Sequence, residues 1–253
     1  KGLFADKDIT AGGGGSCDGQ VQNNGTHSNG ATDFGGHVSV DGVASAVGTV
    51  TASNNVTLKS GSTPNVARIA FPKLDFDYYY SIAAAHSEVV GAEGTTTNLS
   101  GTYTPAGGVL WVVGDARISS HTTINGALFL TGNLHQAGHL QVFPPDNTYP
   151  AIASRNGSLE LKGSTRTKTE TTTVDKWVDV PVFNNDGTPK LDKYGNQVYK
   201  KEKTTDTIVT TVEEWEACAI RGLVYTAVGD ITIAGWHRIV GAVYAGNDIK
   251  CTG

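Results

Sequence analysis

Apolar and polar residues alternate along this chain in short runs, each closed by glycine, asparagine or aspartate. Residues 229–253 read GDITIAGWHRIVGAVYAGNDIKCTG, and residues 114–138 read GDARISSHTTINGALFLTGNLHQAG. The two segments align without a gap at a shift of 115 residues. Gly114, Asp115, Ile118, Ile124, Gly126, Ala127 and Gly138 recur as Gly229, Asp230, Ile233, Ile239, Gly241, Ala242 and Gly253. Apolar character is kept at Leu128/Val243, Phe129/Tyr244 and Leu134/Ile249. The opening residues KGLFADKDITAGG match GAVYAGNDIKCTG at a shift of 240, which sets Ala5, Asp8 and Ile9 on Ala245, Asp248 and Ile249. Weaker copies begin at Gly36, Gly48 and Gly157.

Alternation in a strand sends one side chain inward and the next outward. Glycine and asparagine at fixed offsets are expected to supply the positive φ values that bend the chain between strands. One such coil cannot bury its own inward face, whereas stacked coils bury a continuous aliphatic ladder and pair as parallel sheets. The pattern therefore predicts an all-β fold, a single-stranded parallel β-helix taken as right-handed. Ile118, Ile124, Leu128, Leu134, Ile233, Ile239, Val243 and Ile249 should form its inward ladders. A β-sandwich also alternates, but nothing in it requires the same short unit at both ends of the chain. The first and last units are read as open ends, which would put Leu3 and Ile249 at a joint between copies.

Two segments interrupt the repeat. Pro72 stops a strand, Asp75 or Asp77 can cap a helix, and the Ser-Ile-Ala-Ala-Ala run favours one, so a short helix is expected near 75–88. Tyr78, Tyr79 and Tyr80 should pack it on the solenoid, with carbohydrate stacking as the alternative. The second interruption holds 17 of the 43 charged residues within positions 165–215. Its arms, 165–183 and 197–215, are rich in threonine and valine and flank a turn-rich centre, NNDGTPKLDKYG. Pairing Phe183 with Gln197 would set Asp179 opposite Lys201, a favourable cross-strand pair. The expected organisation is a solenoid over 1–163 and 217–253, with an inserted β-ribbon over 164–216. A lone ribbon is marginal in water, so Trp177, Val180, Val182 and Tyr199 are candidate interaction residues.

Composition narrows the function classes. The 253 residues are 38% hydrophobic and include 32 glycines, which suits a thin repetitive core. A formal charge of −5 without a basic run disfavours binding to nucleic acid. No stretch of about 18 apolar residues is present to span a membrane. The chain starts at Lys1 and contains no methionine, which reads as a processed or truncated product. Cys17, Cys218 and Cys251 show no metal-binding spacing. Their odd number allows one disulfide of open pairing, if the compartment is oxidising, or simply small buried side chains.

The order of several motifs resembles a known family. These are PKLDFDYY from Pro72, GGVLWVVGDARIS from Gly107, TYPAIASRNGSLELKG from Thr148, GLVYTAVGDITIAG from Gly222 and GAVYAGNDIKCTG from Gly241. Together they resemble the β-solenoid region of PilX-like pilus-assembly proteins of bacteria, and more distantly the repeats of bactofilins, which are polymer-forming β-helices. The resemblance covers most of the chain outside the ribbon. It implies an extracellular or cell-surface structural protein of a bacterial filament, partnered by other copies or other filament subunits. The hydrophobic N-terminal helix of the pilus proteins is not part of this sequence.

Candidate chemistry is sparse. Asp115, Asp230 and Asp248 follow Gly or Asn and, with Asp8 at the same repeat position, read as turn formers. Acid–base work needs two carboxylates at a defined separation, which repetition alone does not supply. His135 and His139 bracket a strand–turn segment and are expected at the surface. No nucleophile-elbow frame occurs. Residues 11–19, AGGGGSCDG, resemble one copy of the glycine–aspartate turns that hold calcium in some β-rolls, so calcium is the one alternative to an expectation of no metal, no cofactor and no catalytic residue. The sequence thus points to a structural protein rather than an enzyme. A carbohydrate-binding or polysaccharide-degrading β-helix that contacts surface glycans is the competing reading.

Overall fold

A computed structural model describes residues 2–12, 19–21, 25–163, 166–214, 218–235 and 237–252. The chain divides into two compact units, one formed by 1–164 with 215–253 and the other by 165–214.

The larger unit is a parallel β-solenoid. Each coil contributes up to three short strands, and each strand pairs in parallel with its counterparts in the coils above and below. On the first face, Leu110, Leu128, Ile152, Val224 and Val243 follow one another in register. On the second, the ladder is Ala116, Leu134, Leu159, Ile231 and Ile249. On the third, Ile124, Val142, Ile220 and Ile239 are stacked. The 115-residue repeat is thereby explained. Leu128 and Val243, Ile124 and Ile239, and Leu134 and Ile249 are each three coils apart on one ladder.

The order of the coils departs from the order of the chain. Leu3, Phe4 and Ala5 pair with Val243, Tyr244 and Ala245, and Ile9 pairs with Ile249. The 240-residue shift is therefore a stacking register inside one molecule. From there the stack continues through strands Thr26–Ser28, Ala44–Ala46 and Ser62–Thr63 on the first face. The chain then turns back, and strand Val89–Tyr103 pairs with Val109–Ile124 at the other end of the stack. Leu3 and Ile249, expected at open ends, lie instead at an internal seam. The coils that end the stack are those at 50–63 and 89–103.

Burial follows the ladders. Ile118, Ile124, Leu128, Leu134, Val243 and Ile249 are buried, whereas Ile233 and Ile239 are half-buried. Beyond Ile233 the ladder passes to the smaller Cys251 and Ala11. Among the described residues, no strand pairs with 237–240 on its outer side. The repeat glycines do more than bend the chain. Gly114 has φ +87° as anticipated, but Gly241 is required by contact between coils: a Cβ there would lie 1.9 Å from the Gly222 oxygen. The repeat aspartates tie successive turns together. The Asp115 carboxylate accepts from the Asn133 N–H at 2.7 Å, and that of Asp248 accepts from the Asp8 N–H at 3.0 Å across the seam.

The return path runs over the outer side of the first face. Residues 64–75 cross it as a strap without regular structure and lead into the helix Phe76–Ala85. Asp75 caps that helix, its carboxylate accepting from the Tyr78 N–H at 3.1 Å. Beneath the helix, Phe76, Tyr79 and Ala83 pack on Trp111, Phe129 and Tyr225, which point outward from the sheet. Tyr79 stacks on Phe129 at 4.4 Å and Tyr80 meets Trp111 edge-on at 5.2 Å, while Tyr78 is more than half exposed.

The smaller unit is an antiparallel ribbon of strands Arg166–Pro181 and Tyr199–Glu214, sixteen residues each. Asp179 faces Lys201, as the pattern of charges predicts. The expected pairing of Phe183 with Gln197 does not form. Phe183 bridges to Pro189 and Leu191 to Gln197, because the tip folds into two tight turns rather than one long loop. Asp186 closes the first by accepting from Thr188, and Asp192 closes the second by accepting from the Tyr194 and Asn196 N–H groups.

Candidate interaction surfaces

Residues directly opposite in an antiparallel pair share a face. One face of the ribbon therefore carries Trp177, Asp179 and Pro181 with Lys203, Lys201 and Tyr199. The other carries Val174, Val178 and Val180 with Asp206, Glu202 and Lys200. Trp177 is 63% exposed and Tyr199 57%. Val180 and Val182 are half-buried. At the tip, Phe183, Leu191 and Tyr194 are exposed as well. Isolated apolar side chains on a surface are ordinary, whereas several exposed aromatics on one narrow ribbon make it a candidate contact surface. Charge along the ribbon is locally paired, with Lys203 on Asp175 at 2.8 Å and Lys200 on Glu202 at 2.5 Å. The tip turns are preorganised. Hydrogen bonds from the Thr188 hydroxyl and N–H hold the Asp186 carboxyl below its ordinary range, and those from the Asn196 and Tyr194 N–H groups do the same for Asp192.

Leu3 and Ile249 present no free edge, since both are engaged by neighbouring strands of their own chain. Cys251 lies half-buried in the ladder between Ile233 and Ala11. Cys17 and the Cys218 side chain lie outside the described residues, and the disulfide expectation with them. The same holds for most of the glycine-rich stretch considered for calcium.

The histidines differ from expectation in one respect. His139, just before the strand Leu140–Val142, is buried and stacks on His121 at 4.3 Å. His135 is half-exposed and pairs with Glu160. The Lys162 ammonium, and after it His135, lower the Glu160 carboxyl. No cluster of three metal-ligating side chains occurs among the described residues.

A second surface, the aromatic column on the outer first face, escaped the sequence reading. Trp111, Phe129, Tyr225, Tyr244 and Phe4 sit at equivalent positions on one ladder, with Ala153 standing between Phe129 and Tyr225. The recurring strings GVLW, GALF, GLVY and GAVY carry its signal, a glycine followed three residues later by an aromatic. This column is covered by the helix and the strap. Phe71 stacks on Tyr225, whose hydroxyl donates to the Pro72 oxygen at 2.9 Å. Beside the strap lies a shallow cleft with Lys73, Asp75, Asp77 and Arg155 at its rim and Phe76 and Tyr225 in its floor. Both floor aromatics are buried, so neither offers an open ring face.

The fold thus defines a β-solenoid protein with an inserted ribbon arm. No protein-family model, curated protein or solved structure matches the chain. Among the described residues, no helix is long and apolar enough to cross a membrane.

Proposed function

We propose that this protein is a structural component of an extracellular bacterial surface filament, in the manner of the PilX-like solenoids, and that its ribbon arm makes the joint to another subunit. The observation that carries the reading is the ribbon itself. Its sixteen-residue strands pair only with each other among the described residues, and it exposes Trp177, Tyr199, Phe183 and Tyr194. A two-stranded ribbon gains little stability alone and is a natural template for added strands. Its paired charges of both signs suit a protein partner, a second copy or another filament subunit, rather than a polyanion. The open coils at 50–63 and 89–103 offer a further place for subunits to stack.

Glycan binding is the less favoured function. Sugar rings stack on exposed aromatic faces; the aromatic column of the solenoid is covered, which leaves the exposed rings of the ribbon and Tyr78 for that role.

The test removes the arm. Deleting residues 164–216 and closing Gly163 to Ala217 with a short turn should leave the solenoid folded by circular dichroism and diminish the concentration-dependent rise in mass that light scattering is expected to show for the full chain. A folded deletion variant that self-associates as the full chain does would overturn the assignment of the joint to the ribbon.

A further inference from the structure

We propose that the seam between the first and last coils is exchangeable, so that the N-terminal coils of one copy dock on the C-terminal coil of another. This rests on the reading of a self-associating protein but uses a joint separate from the ribbon. No peptide bond crosses the seam. The two coils meet through backbone hydrogen bonds, among them Val243 N–H to the Gly2 oxygen at 2.8 Å, Ile249 N–H to the Asp8 oxygen at 2.9 Å and Gly12 N–H to the Cys251 oxygen at 3.0 Å. These contacts repeat the register used between covalently successive coils, so an identical coil from another molecule satisfies them equally.

The block at 3–63 is also the weaker half of the solenoid. Among the described residues its inward ladders hold Ile9, Phe34, Val38 and Val40 but also Ala5, Ala11, Thr26, Thr32, Ala44 and Ala46, where the coils at 109–161 hold mostly leucine, isoleucine and valine. The hydroxyls of Thr26 and Thr32 are buried without a hydrogen-bond partner, which penalises the closed block further. Less apolar burial and unsatisfied polar groups mark the part of a protein that opens first.

The strap that leashes this block is tied to the block itself through Asp6 and Asn29, and to the C-terminal coils through Phe71 and Pro72, which meet Tyr225. Arg68 pairs with Asp6 at 2.8 Å, and the Asn29 side chain both donates to the Ile69 oxygen and accepts from the Ile69 N–H. Phe71 touches Phe4 on one side of the seam and Tyr225 on the other, each at 5.5 Å. Released, residues 64–75 extend to roughly 40 Å, long enough to deliver the block to a neighbour. The exchanged contact is heterologous and leaves each molecule with an open partner surface, so it propagates.

Thr10 and Lys250 are exposed and opposite each other across the seam, which makes them reporters. In a background of Cys17→Ser, Cys218→Ser and Cys251→Ala, a variant carrying both Thr10→Cys and Lys250→Cys should close its own disulfide, since parallel neighbours lie about 4.8 Å apart. The two single variants are then mixed at high concentration in urea below the unfolding midpoint, diluted, oxidised and mapped by mass spectrometry. Exchange predicts disulfides between position 10 of one chain and position 250 of the other at roughly tenfold excess over 10–10 and 250–250 bonds, because docked thiols have a raised effective concentration. Cross-chain 10–250 bonds no more frequent than the homotypic ones overturn the exchange, and so does failure of the double variant to close. Ribbon-dependent light scattering without 10–250 bonds leaves the ribbon joint standing and removes this one. The bonds without ribbon dependence do the reverse.

Discussion

At the scale of single residues, position in the stack decides how much a side chain matters. Ile231 is fully buried between Leu159 and Ile249, while Ile233, two residues on, is half-buried next to Cys251. Ile231→Asp should cost more than ~3 kcal/mol, because it buries a carboxylate with no partner. Ile233→Asp should cost clearly less, since its carboxylate can reach water. Equal melting temperatures for the two variants would contradict the ladder assignment. Asp230 gives a pH-dependent counterpart. Burial alone would raise its carboxyl, but donors from the Asn247 side chain and the Asp248 N–H, with Lys250 nearby, outweigh burial and hold it below its ordinary value. A carboxyl lowered in the folded state adds stability above its unfolded pKa, and that stability is lost as pH falls through the folded value. The melting temperature should therefore fall on acidification below about pH 4, and less steeply in Asp230→Asn. Parallel acid profiles for the two proteins would remove Asp230 from the account.

At the scale of elements, local chemistry set most of what could be read in advance. The helix was legible because Pro72, the Asp75 cap and an alanine run are local signals. Asp75→Ala should lower stability by ~1 kcal/mol, the usual worth of an N-cap, in a thermal melt followed by circular dichroism. An unchanged melt would mean that the helix is held by Phe76 and Tyr79 alone. The ribbon register was legible because Asp179 and Lys201 complement each other across a symmetric pair of arms. Its tip was misread. Asp186 and Asp192 each close a turn of their own, and two competing turn signals six residues apart do not announce which strand residues they leave opposite. The burial of His139 was missed for a similar reason, since its stacking partner His121 is brought close only by the coil.

At the scale of the whole molecule, the repeat was legible but the order of coils was not. Similarity at a shift of 240 says that two units share a register. It does not say whether they belong to one stack or two, and an internal seam and an intermolecular joint leave the same trace in the sequence. The return over the first face resolves this, because the strap and helix carry the chain from the coil at 50–63 to the strand at 89–103. The solenoid is thus two blocks tethered by the strap and helix but stacked on each other at a seam that no peptide bond crosses, with its true ends at segments the terminal repeats do not include. Those ends, the seam and the ribbon are the three surfaces proposed to accept another copy, and assembly is the property on which the functional reading depends. Negative-stain electron microscopy of the purified full-length chain, over a range of concentrations, tests it most directly. The account predicts linear assemblies whose length grows with concentration, and uniform single-chain particles at every concentration would contradict it.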